Sequence, residues 1–386
     1  MIAPAPPIAA EQFGANTGVL FNSGTYSGAQ IDEQIAALAL TGTTVVRSDA
    51  MWEYSEPQPP VGFVHRYDWS FDDQIVTTLA SHGLQWLPII DYSASWAQSV
   101  PGRDHSPPAL VDDYAAYAGA LADRYGPGGV FWLENPQLTP EPVETYEIWN
   151  EPDNPAYWYP APNPALYAEM YANAGAAITA AAPGARVIVG GLTRPAWFLS
   201  AMLAADPGLR GQIAGVAIHP YAPTPGGVLA NVRAARLAMR ADGLAAVPLY
   251  VTEVGWTTER RGARDWAPET VRPDYIAQTL SSLGHTDCGI AAVLLYAWAT
   301  PERNPNNSQD WFGISPPGAG PSPDTAAFTS ALRVAAAPGA PAPVCAPHPV
   351  AVASRVALRR PRRRTKPRHR ARAHRGRAAR KRSRAR

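Results

Sequence analysis

The chain has 386 residues, 46% of them hydrophobic and 17% charged, enough to bury a large core. Its two cysteines exclude a disulfide-rich scaffold and a cysteine-built metal centre, and no apolar run approaches the length of a membrane span. The net charge of +1 hides an asymmetry: 17 of the 33 basic residues and none of the 32 acidic ones fall in residues 355–386, which leaves 16 bases against 32 acids in the rest.

Read in chain order, residues 1–12 are a Pro- and Ala-rich extension, with no signal peptide visible in this sequence. Apolar, largely branched runs then recur at 13–21, 43–48, 84–91, 145–149, 186–190, 215–219, 249–252 and 290–298, the pattern of buried strands. Between them lie Ala-rich stretches with helical spacing at 29–40, 71–81, 108–125, 164–181, 196–204, 228–240, 272–283 and 325–335. Several begin at Pro or Asp and stop at pairs such as His82-Gly83, Pro183-Gly184 and Asp242-Gly243. Eight strand-then-helix units predict an α/β fold, a single (β/α)8 TIM barrel over 13–336. A doubly wound sheet is the competing layout, but Gly14-Ala15-Asn16-Thr17-Gly18 does not match the phosphate loop it would carry after its first strand. Residues 337–354 have a Pro/Ala linker composition, and 355–386 form a low-complexity basic tail expected to be disordered.

The barrel reading gathers polar residues at one face, because the C-terminal ends of the strands share it. Arg47, Asp49, Asp91, Asn150, Glu151, His219, Tyr221, Glu253 and Trp298 all fall at such ends. Two stretches stand out. Thr145-Tyr146-Glu147-Ile148-Trp149-Asn150-Glu151-Pro152-Asp153 stops at Pro152, which cannot donate to a ladder. Pro248-Leu249-Tyr250-Val251-Thr252-Glu253-Val254-Gly255-Trp256 also ends on a single glutamate. A strand-end salt bridge is the competing account of either one. Two carboxylates at the mouth of one cavity suit acid/base or nucleophilic work, and the pair that glycoside hydrolysis needs. Glu147 shares the facing of Glu151 by alternation and lies deeper, which suggests a partner for Arg47. The eight histidines show no metal-ligand spacing, and no cofactor motif is present, so neither metal nor cofactor is expected.

The run Glu147-Ile148-Trp149-Asn150-Glu151-Pro152-Asp153, with Val251-Thr252-Glu253 a hundred residues later, resembles the retaining glycoside hydrolases of clan A, most closely family 39. That family includes β-xylosidases and α-L-iduronidases. The likeness of motif is confined to these two stretches, while the likeness of architecture covers about residues 13–335. It implies Glu151 as general acid/base, Glu253 as nucleophile and Asn150 as the partner of the sugar 2-hydroxyl. It also matches Arg47 and Tyr221 to positions that support the nucleophile. Glu151 would need a raised pKa to donate its proton. His219 is a further candidate for substrate binding, with a satisfied strand-end histidine as the alternative.

Loop aromatics offer faces for sugar rings. Trp298 is the expected floor of the subsite for the cleaved sugar, Trp158 in Tyr157-Trp158-Tyr159 the expected leaving-group contact, and Trp256 a third candidate. Carbohydrate is the expected partner of a monomeric enzyme, with no membrane span. An inactive carbohydrate-binding barrel is one alternative. A protein acting through its basic tail on a polyanion, such as an anionic cell-envelope polymer, is another. Cys288 precedes the last strand and Cys345 follows the last helix, which runs back to the same end of the barrel. They are a disulfide candidate, worth about 4 kcal/mol by chain entropy. A bridge would place the protein in an oxidising compartment, secreted or associated with the cell envelope.

Overall fold

The computed structural model describes residues 12–259, 264–300, 304–337, 339 and 341–346. Residues 1–11 and the basic tail lie outside them. The strands are β1 (Gln12–Asn16), β2 (Val45–Met51), β3 (Gln85–Asp91), β4 (Thr145–Ile148), β5 (Arg186–Leu192), β6 (Gly215–Ile218), β7 (Leu249–Val254) and β8 (Ile290–Leu295). All pair in parallel, in sequence order, and β8 pairs back with β1 to close the barrel. Each strand is buried along nearly its whole length, as a parallel sheet covered on both faces requires.

Helices cover the outside, and their starts carry recognisable chemistry. Ser27 and Ser322 close capping boxes on Gly28–Ala39 and Pro323–Ala335. Asn163 and Thr224 cap Pro164–Ala181 and Pro225–Ala241, each with Pro in the first turn. Two cores result. The larger lies between strands and helices. The smaller, built of Val45, Leu87, Ile188, Ala217, Tyr250, Ala292 and Leu294, fills the barrel interior, so the barrel is a packed plug beneath its polar end.

Two expected strands stop well short of the apolar runs that suggested them. The first stops at Asn16 instead of reaching residue 21. The Asn16 side chain donates to the carbonyls of Thr252 (2.9 Å) and Leu295 (3.2 Å), tying the end of β1 to β7 and β8. Gly18–Asn22 then turns as a short helix that buries Leu20 and Phe21. The last strand stops at Leu295 instead of 298. A continuous apolar run does not by itself separate strand from buried helix or turn. Gln12, expected in the extension, is the first residue of β1 and pairs with Ala292.

Cys288 and Cys345, 57 residues apart in sequence, form a disulfide. Ala342 bridges Thr286, and Val344 packs against the core, so residues 341–346 of the expected linker are held against the body. Among the described residues no helix is long and apolar enough to cross a membrane.

Candidate active site

The polar end of the barrel is organised by Arg47, whose side chain is 1% exposed. Its Nε and one terminal nitrogen grip both oxygens of Glu147, at 2.7 and 3.0 Å. The other terminal nitrogen donates to Glu253 Oε1 at 2.7 Å and to Asn16 Oδ1 at 2.8 Å. A further bond reaches Asn150 Oδ1 at 3.0 Å. Burial alone would favour the neutral guanidine. The charges of Glu147 and Glu253, with their hydrogen bonds, outweigh it and raise the Arg47 pKa beyond its ordinary value. A buried cation thus serves two carboxylates from different strands, a fork geometry that lysine could not reproduce.

Glu253 accepts from Arg47 on one oxygen and from the Tyr221 hydroxyl on the other, at 2.9 Å. Across the cavity, Glu151 Oε1 lies 2.7 Å from His219 Nδ1, and its Oε2 accepts from Asn154 at 2.6 Å. The same His219 nitrogen is 3.5 Å from Glu253 Oε2. Oxygens of Glu151 and Glu253 lie within 4.8 Å of one another. Asn150, its carbonyl oxygen held by Arg47, donates to the Tyr92 hydroxyl at 3.1 Å.

The backbone that carries Glu151 is strained. Trp149 has φ 63° and Glu151 φ 44°, the left-handed region that costs a non-glycine residue about 1–3 kcal/mol. The turn is clasped from the segment just after β5. Asp153 accepts from the amide of Thr193 at 3.1 Å and from the amide of Arg194. A Cβ on Gly190 would come within 2.1 Å of the Trp149 carbonyl oxygen, so only glycine allows the close approach there.

The proton arrangement differs from the expectation of a raised Glu151 pKa. Burial does push Glu151 up, but the hydrogen bond and charge of His219, the bond from Asn154 and the charge of Arg47 together bring it below its ordinary value. His219 moves the other way. Burial lowers it, while the charge of Glu253 and the bond to Glu151 raise it above the ordinary value. The pair shares one proton, with the histidine as its favoured holder.

These groups open into a cavity of about 420 Å³. Tyr92, Tyr157, Tyr221, Tyr296 and Phe312 supply its aromatic walls, and Asn16, Asp49, Asp265 and Gln309 its polar ones. Arg47, Asn150, Glu151, Tyr221 and Glu253 all line it, and His219 stands between the two glutamates. The three tryptophans expected as sugar contacts do not line it. The Trp298 indole turns outward, donating to the Gln34 carbonyl at 3.1 Å and packing on Phe328. Trp158 is buried between Trp149 and Tyr167. Trp256 donates to the Ala222 carbonyl at 2.9 Å and packs on Tyr275. An indole this large is most economically spent fastening loops to the core once its N–H has a carbonyl partner. Tyr92 and Tyr296, which sequence reading missed, each directly follow a strand, β3 and β8. Placing those two strand ends to the residue was the signal that could have found them.

No family model matches the chain, and no curated protein matches it. Solved structures do. A family 39 β-xylosidase from Caulobacter crescentus superposes with a TM-score of 0.64 at 19% identity, over 86% of this chain and 73% of that one. A family 39 glycoside hydrolase from Bacteroides cellulosilyticus gives 0.61 at 18%, over 84% of this chain and 64% of that one. A family 5 enzyme from Streptomyces cattleya, in complex with GlcNAc, gives 0.62 at 16%, over 87% and 83%. The chain therefore spans roughly two thirds to four fifths of these proteins' lengths. Its fold is that of the clan A glycoside hydrolases, most like family 39.

Proposed function

We propose that the chain is a retaining glycoside hydrolase acting on an oligo- or polysaccharide by double displacement. The observation that carries this reading is the pair Glu151 and Glu253, with oxygens within 4.8 Å across one cavity at the C-terminal end of the barrel. Retention needs carboxyl groups about 5–5.5 Å apart, and inversion needs room for a water, about 6.5–9.5 Å. Glu253, held by Arg47 and Tyr221, is the nucleophile: its carboxylate attacks the anomeric carbon as the glycosidic bond breaks. The proton that His219 Nδ1 holds 2.7 Å away passes to Glu151, which delivers it to the departing oxygen. In the second half Glu151 takes a proton from the water that releases the sugar from Glu253. Asn150, its carbonyl fixed by Arg47, is left to donate toward the cavity, where a bond to the 2-hydroxyl would tighten in the transition state.

An inactive carbohydrate-binding barrel would have no need of the strained Glu151 turn or of Arg47 buried between two carboxylates. The Cys288–Cys345 bridge favours an oxidising compartment and so a secreted or cell-envelope enzyme. The test is chemical rescue. Glu253→Ala should lose at least about 10³-fold in kcat on aryl glycosides, with azide restoring activity as a glycosyl azide of inverted configuration. Glu151→Ala should hydrolyse poor leaving groups slowly yet largely spare dinitrophenyl glycosides, which need little protonation. Near-normal turnover by Glu253→Ala would require another nucleophile.

A further inference from the structure

Beyond Asn154 and Tyr221, which line both, a second and larger cavity of about 810 Å³ adjoins the first. It lies among the segments that follow β5 and β6, on the Glu151 side of the pair. Thr193, Arg194, Trp197, Asn231 and Arg264 line it, together with His219. Its character is opposite to that of the first cavity. There Asp49, Asp265, Glu151 and Glu253 line the walls, and Arg47 is committed to Glu147 and Glu253. Here the charged side chains are two arginines. Among the described residues the arginine ion pairs involve Arg47, Arg124, Arg186 and Arg272, so Arg194 and Arg264 have none.

The nearby carboxylates are otherwise engaged. Asp153 accepts from the amides of Thr193 and Arg194 and from the Thr193 hydroxyl, and the Arg194 guanidinium donates instead to the Asp153 backbone carbonyl. Asp265, next to Arg264 in sequence, lines the first cavity and feels the Arg264 charge, but forms no ion pair with it. Trp197 is 48% exposed, whereas Trp158, Trp256 and Trp298 are each 1% exposed, and the Arg194 guanidinium lies 5.5 Å from its ring centroid. An indole left half open, under a guanidinium that has no carboxylate partner, has a clear complement. A pyranose against the indole would present an in-plane carboxylate to the guanidinium, which suits a carboxylate's two oxygens better than any hydroxyl.

We propose that the second cavity holds the leaving-group side of the substrate, and that the sugar seated there is a hexuronate. The assignment of a leaving-group side rests on the glycosidase reading above. The substrate class is then an acidic saccharide cut at the bond between a non-uronate sugar, in the carboxylate-lined cavity, and a uronate, in the arginine-lined one.

The test reads binding without turnover. Full-length protein is titrated by NMR with sodium D-glucuronate, its uncharged methyl ester, D-glucose, and inorganic phosphate and sulfate. Glucuronate should bind roughly tenfold more tightly than the ester or glucose. The preference should fall to near parity in Arg194→Gln/Arg264→Gln, and the affinity for all three sugars should fall in Trp197→Ala. The basic tail also attracts anions, so the decisive quantity is the difference between wild type and variant, in proteins whose circular dichroism matches. Equal binding of acid and ester, or a preference that survives the double substitution, overturns the proposal. Phosphate or sulfate bound as well as glucuronate and lost with the arginines marks a general anion site and overturns the uronate assignment. Failure to hydrolyse any glycoside would refute the catalytic reading while leaving the binding result standing, so the two failures are separable.

Discussion

His219 stands 2.7 Å from Glu151 and 3.5 Å from Glu253, so its protonation sets the charge that both carboxylates meet. The two shifts have opposite signs, and the stability they bring has a defined window. Glu151, lowered from 4.5, contributes fully above that value and loses the contribution as pH falls through its folded pKa. His219, raised from 6.5, contributes fully below that value and loses it as pH rises through its folded pKa. The ion pair therefore stabilises the fold most between pH 4.5 and 6.5. Thermal melts should show the advantage of wild type over His219→Gln greatest in that interval and shrinking on either side. An advantage independent of pH would mean that the ring only packs. At this scale the sequence exposed the charged residues and hid the aromatic ones. Glu151, Glu253 and Arg47 announce themselves because charge at a strand end is rarely without purpose. Tyr92 and Tyr296 did not: strict alternation would give Tyr296 and Trp298 the same facing, and only the end of β8 at Leu295 lets the first line the cavity while the second turns away.

The elements place these residues with little slack. β5 passes close behind the site, and a Cβ on Gly191 would fall 2.0 Å from His219 Nε2, on the face of the ring. The Gly191 amide also donates to Glu147 Oε1 at 2.8 Å, so the same residue supports both the histidine and the carboxylate under Arg47. Gly191→Ala should push His219 away from Glu151 and slow turnover on substrates with poor leaving groups by roughly a hundredfold, with less loss on activated ones. Steady-state kinetics over a leaving-group series checks this, and an unchanged rate would mean that the strand yields to the methyl group at no cost. The Gly190-Gly191 pair is plain in the sequence, but its reason is not: it depends on which strands become neighbours. The expected helices fared better, since their caps are local chemistry. Pro164–Ala181 runs over the residues its apolar spacing and flanking Pro indicated.

The whole molecule is the part the sequence carried most fully. Eight alternations of apolar run and helical stretch have few other closed solutions, and the parallel barrel follows from them. It brings Arg47, Asn150, Glu151, Tyr221 and Glu253, spread over some two hundred residues, to one cavity. The disulfide belongs to the same logic, because the last helix returns the chain to the end of the barrel where Cys288 lies. The larger cavity beside Glu151 was not foreseen, since its arginines come from separate loops. The stereochemical course of hydrolysis tests the account most directly. Proton NMR of the first-formed sugar, read before mutarotation, should show the anomeric configuration of the substrate retained by the wild-type protein. An inverted first product would mean that Glu151 and Glu253 do not work as acid/base and nucleophile, and would contradict the account at its centre.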